Sequence, residues 1–156
     1  MVDSSFLSIF GHGLSELLLA MKMSSINVEQ MKAIRKAVSE GQSGPRAGAS
    51  FLKSPYYRSW SRAQLNNTEY APMLALLCLC LRYKADREHR PMRISEKAAC
   101  LASVAFSYVF VFAAATQRAI DHKEMRPGRG GMSPLRPVGA LGRYLAMGWL
   151  LVELLR

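Results

Sequence analysis

Three polar residues in one apolar neighbourhood carry the chemistry of this sequence. Within Arg62-Ala-Gln-Leu-Asn66-Asn-Thr-Glu69-Tyr70-Ala-Pro72, Arg62, Asn66 and Glu69 stand at i, i+4 and i+7. At 100° per residue they fall within about 60° of one another, so one helix face presents a guanidinium, an amide and a carboxylate. The adjoining run Ala71–Leu81 is almost wholly apolar. A polar face at that depth turns to a bundle interior or a wet cavity. Two uses fit: an Arg62–Glu69 salt bridge that only fixes packing, or a site for a polar ligand.

The elements that position this face alternate between apolar blocks and charged connectors. Ala98–Ala115 is eighteen residues without a charge, the length that crosses a hydrocarbon core of about 30 Å. We expect an all-α integral membrane four-helix bundle over 1–156, with helices at about 4–39, 56–84, 93–123 and 135–155. The first continues beyond the membrane as an amphipathic stretch, with Val28, Met31, Ile34, Ala37 and Val38 at helical spacing. Breakers at 40–45 end it, and 46–55 reads as a linker. Pro72 falls inside the second helix, where a kink is expected, since membrane helices tolerate proline. His12 and Glu16 lie four apart on the first helix and share a face. They are expected to pair with each other, or Glu16 to face a wet crevice or a neighbouring subunit.

The chain has 156 residues, the length of one domain, with 21 Lys+Arg against 11 Asp+Glu and half its residues hydrophobic. Nothing in the first thirty residues reads as a cleavable signal. A net charge of +10 would suggest nucleic acid in a soluble protein. No recognised nucleic-acid motif accompanies it, and basic residues flanking apolar blocks meet lipid headgroups instead. The loops after the first and third helices together carry more Lys and Arg than the single loop between the second and third, a bias that favours their lying in the cytoplasm. Cys78, Cys80 and Cys100 lie inside apolar blocks without metal-ligand spacing and read as small core residues.

The run Arg-Ala-Gln-Leu-Asn-x-x-Glu-Tyr-x-Pro resembles the second-helix signature of the membrane-associated proteins in eicosanoid and glutathione metabolism. That family includes microsomal glutathione transferases and leukotriene C synthase, and the resemblance covers roughly residues 4–155. It implies a homotrimer among membrane lipids, in the endoplasmic reticulum or another organelle membrane if the source is eukaryotic. Glutathione would be the cofactor, held between subunits by Arg62, Gln64, Asn66, Glu69, Tyr70 and Arg118. An arginine clamps a carboxylate, a glutamate meets an ammonium and an asparagine satisfies a peptide group, which suits this tripeptide. Arg136 matches the arginine that stabilises the glutathione thiolate, making it the catalytic candidate. Arg143, seven residues on, is its rival.

The resemblance implies a transferase, or a peroxidase, acting on an apolar electrophilic substrate. Two departures stand against the pattern: Asp121 and Met125 occupy positions where many family members carry tyrosines. The family also includes a lipid-binding member that is not an enzyme. The alternative is therefore a non-catalytic lipid-binding or structural subunit of a larger membrane assembly.

Overall fold

The computed structural model describes residues 3–121 and 135–156, with side chains described for 3–113 and 135–156. Five helices follow in order: α1 (Ser4–Ser39), α2 (Gly44–Lys53), α3 (Pro55–Arg87), α4 (Ile94–Asp121) and α5 (Leu135–Leu155). There is no strand among the described residues. Three of these helices are long and apolar enough to cross a membrane: α1, α4 over Ile94–Ala113, and α5. The four long helices expected from the sequence are present at nearly the expected bounds.

Residues 46–55 are not a linker, because all but the last two belong to α2. Pro45 sits in its first turn, where a missing N–H costs nothing. Gly44 and Gly48, four apart, let α2 lie against α1. A Cβ on Gly44 would come 3.2 Å from Val38, and one on Gly48 would come 3.3 Å from Ile34. Pro55 opens α3 in the same way as Pro45 opens α2, and the Ser54 hydroxyl accepts the Tyr57 N–H at 3.2 Å. α3 then continues through Pro72 as one helix.

The interior is set by stripes at helical spacing. On α3 the buried residues are Trp60, Ala63, Asn67, Ala71, Leu74, Cys78, Leu81 and Ala85, three or four apart throughout. The facing stripe of α1 is small and polar in its first half, with Ser5, Ser8, His12 and Ser15, and apolar below, with Leu19, Met23 and Ile26. Small residues let helices approach closely where no hydrophobic force drives them together. On α5, Gly139 and Gly142 do the same against α4. A Cβ on Gly139 would stand 2.6 Å from the Phe110 backbone nitrogen, and one on Gly142 would overlap the Phe106 ring.

The outside is apolar. Phe6, Phe10 and Met21 on α1, Leu76 on α3, Phe112 on α4 and Leu145 and Val152 on α5 are all exposed. Meanwhile Ser5, His12, Asn67, Ser103, Ser107 and Arg143 are buried. Water would select the opposite arrangement, and hydrocarbon selects this one. Cys78 and Cys100 are buried as expected, but Cys80 is exposed on the apolar surface.

Candidate functional site

The polar interior runs from α5 through α3 to α1. The Arg143 guanidinium donates to Asn67 Oδ1 at 3.3 Å, and the Asn67 amide donates to Glu16 Oε1 at 2.8 Å and to Ser15 Oγ at 3.1 Å. Thr68 Oγ1 donates to Glu16 Oε2 at 3.3 Å. The guanidinium carbon of Arg143 lies 3.9 Å from the Phe110 ring centroid and 5.3 Å from that of Tyr70. Aromatic faces attract a cation most strongly where water is excluded.

His12 and Glu16 do not pair as expected. His12 Nε2 lies 2.9 Å from Ser103 Oγ on α4, while both carboxylate oxygens of Glu16 turn to α3. The i, i+4 rule places the two residues on one face, but partners on neighbouring helices take each of them. Ser103 is held by the Cys100 carbonyl at 2.7 Å, and the Ser15 hydroxyl by the His12 carbonyl at 2.8 Å.

Beside this network is a crevice of about 60 Å³ lined by Asn66, Tyr70, Ala140, Arg143 and Tyr144. The Tyr70 and Tyr144 hydroxyls meet at 2.5 Å across it, with their rings edge to face. The sequence-predicted residues surround it unequally. Asn66 and Tyr70 line it, Gln64 is half-buried, and Arg62 and Glu69 are exposed. The described residues hold no Arg62–Glu69 ion pair, so the two charges are not spent on each other. Arg136 is half-buried with its guanidinium carbon 5.8 Å from the Phe110 ring, near enough to Arg62 for their charges to repel. The side chains of Arg118 and Asp121, and Met125 altogether, lie outside the described residues.

Three residues at this junction escape a reading by motif: Asn67, Glu16 as its partner, and Tyr144. Asn67 had a signal, since it is the one polar member of the α3 stripe that otherwise packs as core. Arg143, the rival to Arg136, is the arginine that lines the crevice, whereas Arg136 stands one α5 face-repeat away beside Arg62. Ligand pockets are typically about 300–1,000 Å³, so the crevice of one chain holds a ligand fragment at most.

No known family model matches the chain, and no curated protein or solved structure matches it either.

Proposed function

We propose that the protein is a membrane-embedded, glutathione-using transferase that crosses the bilayer four times, with α3 as the fourth crossing, and acts as a trimer. The observation that carries this reading is the exposed, mutually unpaired Arg62 and Glu69 flanking a crevice that one chain leaves too small for a ligand. Such a half-site needs a second surface, and a neighbouring copy supplies one. The resemblance of the Arg62–Pro72 run to the glutathione-using membrane family supports the identity of the ligand.

In this mechanism Arg62 clamps a glutathione carboxylate, Glu69 holds its ammonium, and Gln64, Asn66 and Tyr70 meet its peptide groups, with Arg118 from the end of α4. Arg136 favours the thiolate over the thiol. Lowering a thiol pKa by about two units corresponds to about 2.7 kcal/mol, within reach of one desolvated guanidinium. The thiolate sulfur then forms a bond to the electrophilic carbon of an apolar substrate arriving from the bilayer, and the leaving group departs with the electron pair. The test is conjugation of glutathione to chlorodinitrobenzene by purified protein in detergent, with glutathione binding measured in parallel. Absence of both turnover and binding rejects the proposal.

One observation favours a second reading on the same fold. Asn67 joins Arg143 to Glu16, so these two charged groups each have a protein partner without a ligand, although the buried Arg143 Nε has none. A non-catalytic lipid-binding or structural subunit of a larger membrane assembly would need nothing more. Glutathione that binds and raises the melting temperature decides for the transferase.

A further inference from the structure

Two of the three cysteines meet in the interior. Cys78 belongs to the buried stripe of α3 and Cys100 to α4, and both are fully buried in one cluster with Leu74, Leu81, Ala85 and Ala99. The two thiols are near enough to interact directly. Ser103, one turn on from Cys100, gives the same placement from a second direction. Its hydroxyl lies 3.9 Å from Cys78 Sγ and 2.7 Å from the Cys100 carbonyl oxygen. Ala85 and Ala99 are fully buried, and small side chains let helices come close. A disulfide needs such an approach, with Cα atoms about 5.5–6 Å apart. Cys80 stands apart from the pair, since two positions along a helix turn it about 200° away, and it is exposed on the apolar surface.

The pair lies shallow and beside a base. Cys78 is four residues from Arg82, which pairs with Asp3 and Asp86 at one end of the bundle, so the thiol lies about 6 Å inside that end by the helix rise. The Ser103 hydroxyl that reaches Cys78 is also 2.9 Å from His12 Nε2. His12 is buried, and its Nδ1 has no partner among the described residues. With the ring proton on Nδ1, Nε2 is an acceptor, and a hydroxyl between a thiol and an imidazole can pass a proton from one to the other. A buried thiol in apolar surroundings is inert unless something takes its proton. Here Ser103 and His12 form the path by which it leaves.

We propose that Cys78 and Cys100 are a redox-active dithiol, oxidised by a hydroperoxide to a disulfide that joins α3 to α4. The Cys78 proton passes through the Ser103 hydroxyl to His12, and the thiolate attacks one peroxide oxygen. The O–O bond breaks, leaving a sulfenic acid on Cys78, and the departing oxygen takes the proton from His12 and leaves as water. The Cys100 sulfur then displaces the sulfenic hydroxyl as a second water. The two thiols lose two electrons and two protons, and hydrogen peroxide becomes two waters. A lipid hydroperoxide leaves an alcohol in place of the first water. The dithiol is independent of any glutathione chemistry.

The test treats full-length Cys80→Ser protein in nanodiscs with hydrogen peroxide, blocks the remaining thiols under denaturing conditions and maps disulfides by mass spectrometry. Cys80 is replaced because no trypsin site separates it from Cys78. The peptide containing Cys78 should be joined to the one containing Cys100, within a single chain and reversibly by dithiothreitol. Adding Ser103→Ala should slow disulfide formation at neutral pH by about a hundred-fold. That deficit should shrink as pH rises, because hydroxide then ionises the thiol without the relay. His12→Gln should behave alike and decides the relay if Ser103→Ala aggregates. Peroxide that leaves both thiols free, or carries Cys78 to a sulfinic acid without joining it to Cys100, overturns the dithiol. Rates that match the parent protein's across the pH range in both relay variants overturn the proton path.

Discussion

Arg143 reaches Glu16 only through Asn67, which accepts from the guanidinium at 3.3 Å and donates to the carboxylate at 2.8 Å. An amide can serve both charges at once, since it offers an oxygen to the cation and N–H groups to the anion. Asn67→Leu should strip both bonds and lower stability by about 1–3 kcal/mol, bounded by what charged hydrogen bonds give in water and what side-chain bonds give within membrane bundles. Adding Arg143→Met and Glu16→Gln to that variant should recover much of the loss, because no buried charge is then stranded. Thermal melting in detergent measures both steps. A single variant that melts with the wild type would mean the relay contributes nothing.

The α4–α5 contact depends on glycine for space rather than for backbone freedom. Gly139→Ala pushes a methyl group against the Phe110 backbone, which cannot swing aside as a side chain would. The expected cost is about 1–3 kcal/mol, the range for overpacking a fitted interface. Gly148→Ala meets nothing within 4 Å and should be neutral or stabilise the helix by about 0.5–1 kcal/mol. Melting temperatures moving in opposite directions would confirm the distinction, and equal shifts would refute it.

The long helices were legible because apolar blocks alternate with charged connectors. The Arg62, Asn66, Glu69 spacing does put those residues on one face, but Arg62 and Glu69 are exposed rather than turned to the bundle interior, and only Asn66 lines a crevice. α2 was not legible. Its ten residues open with glycine and proline, which read as breakers, and they hold as a helix because Gly44 and Gly48 fit against Ile34 and Val38. The His12–Glu16 pairing failed for a related reason. Local spacing says which residues share a face, while the partners on α3 and α4 that claim them come from fifty and ninety positions away. Asn67 lay in plain view beside Asn66, but its value appears only once the α3 stripe is seen to point at α1.

Asp3 ties the start of α1 to α3 through Arg82 and caps the helix. The Ser5 hydroxyl donating at 2.6 Å lowers the Asp3 carboxyl pKa most, and the Ser5 N–H and the Arg82 charge lower it further against an opposing effect of burial. A carboxyl whose folded pKa lies below the unfolded one stabilises the fold above the unfolded value, 3.8. That contribution disappears as pH falls through the folded value. Asp3→Asn retains a good cap without the charge. It should melt below the wild type at about pH 5–7, and the gap should narrow as pH falls below 3.8. A gap that persists at the acid end would show that the charge is not the source.

Arg136 and Arg143 should separate by what fails. Under the proposed mechanism, Arg136→Ala depresses kcat and shifts the pH–rate profile upward, while the protein still melts near the wild-type temperature. Arg143→Ala removes the cation that Asn67 and the Phe110 ring hold, and should lower stability before it lowers turnover. Arg62→Ala should raise KM for glutathione and leave kcat largely intact, because its contact is shared by ground and transition states. If Arg143→Ala instead shifts the pH–rate profile with stability unchanged, the thiolate belongs to Arg143.

Glu69→Gln separates a ligand site from a packing feature, because the two readings give Glu69 different partners. Were it there to neutralise Arg62, the amide would leave a cation unpaired, and breaking a buried ion pair typically costs about 3–5 kcal/mol. The exposure of both residues and the absence of an ion pair between them argue against such a cost. The variant should therefore run at the wild-type oligomer size and melt at the wild-type temperature without glutathione. With glutathione the wild type should gain melting temperature in proportion to ligand concentration over its dissociation constant, while Glu69→Gln gains far less, since a neutral amide cannot hold the ammonium. A variant that melts early with or without glutathione, beside a wild type that glutathione does not protect, would return this face of α3 to packing alone.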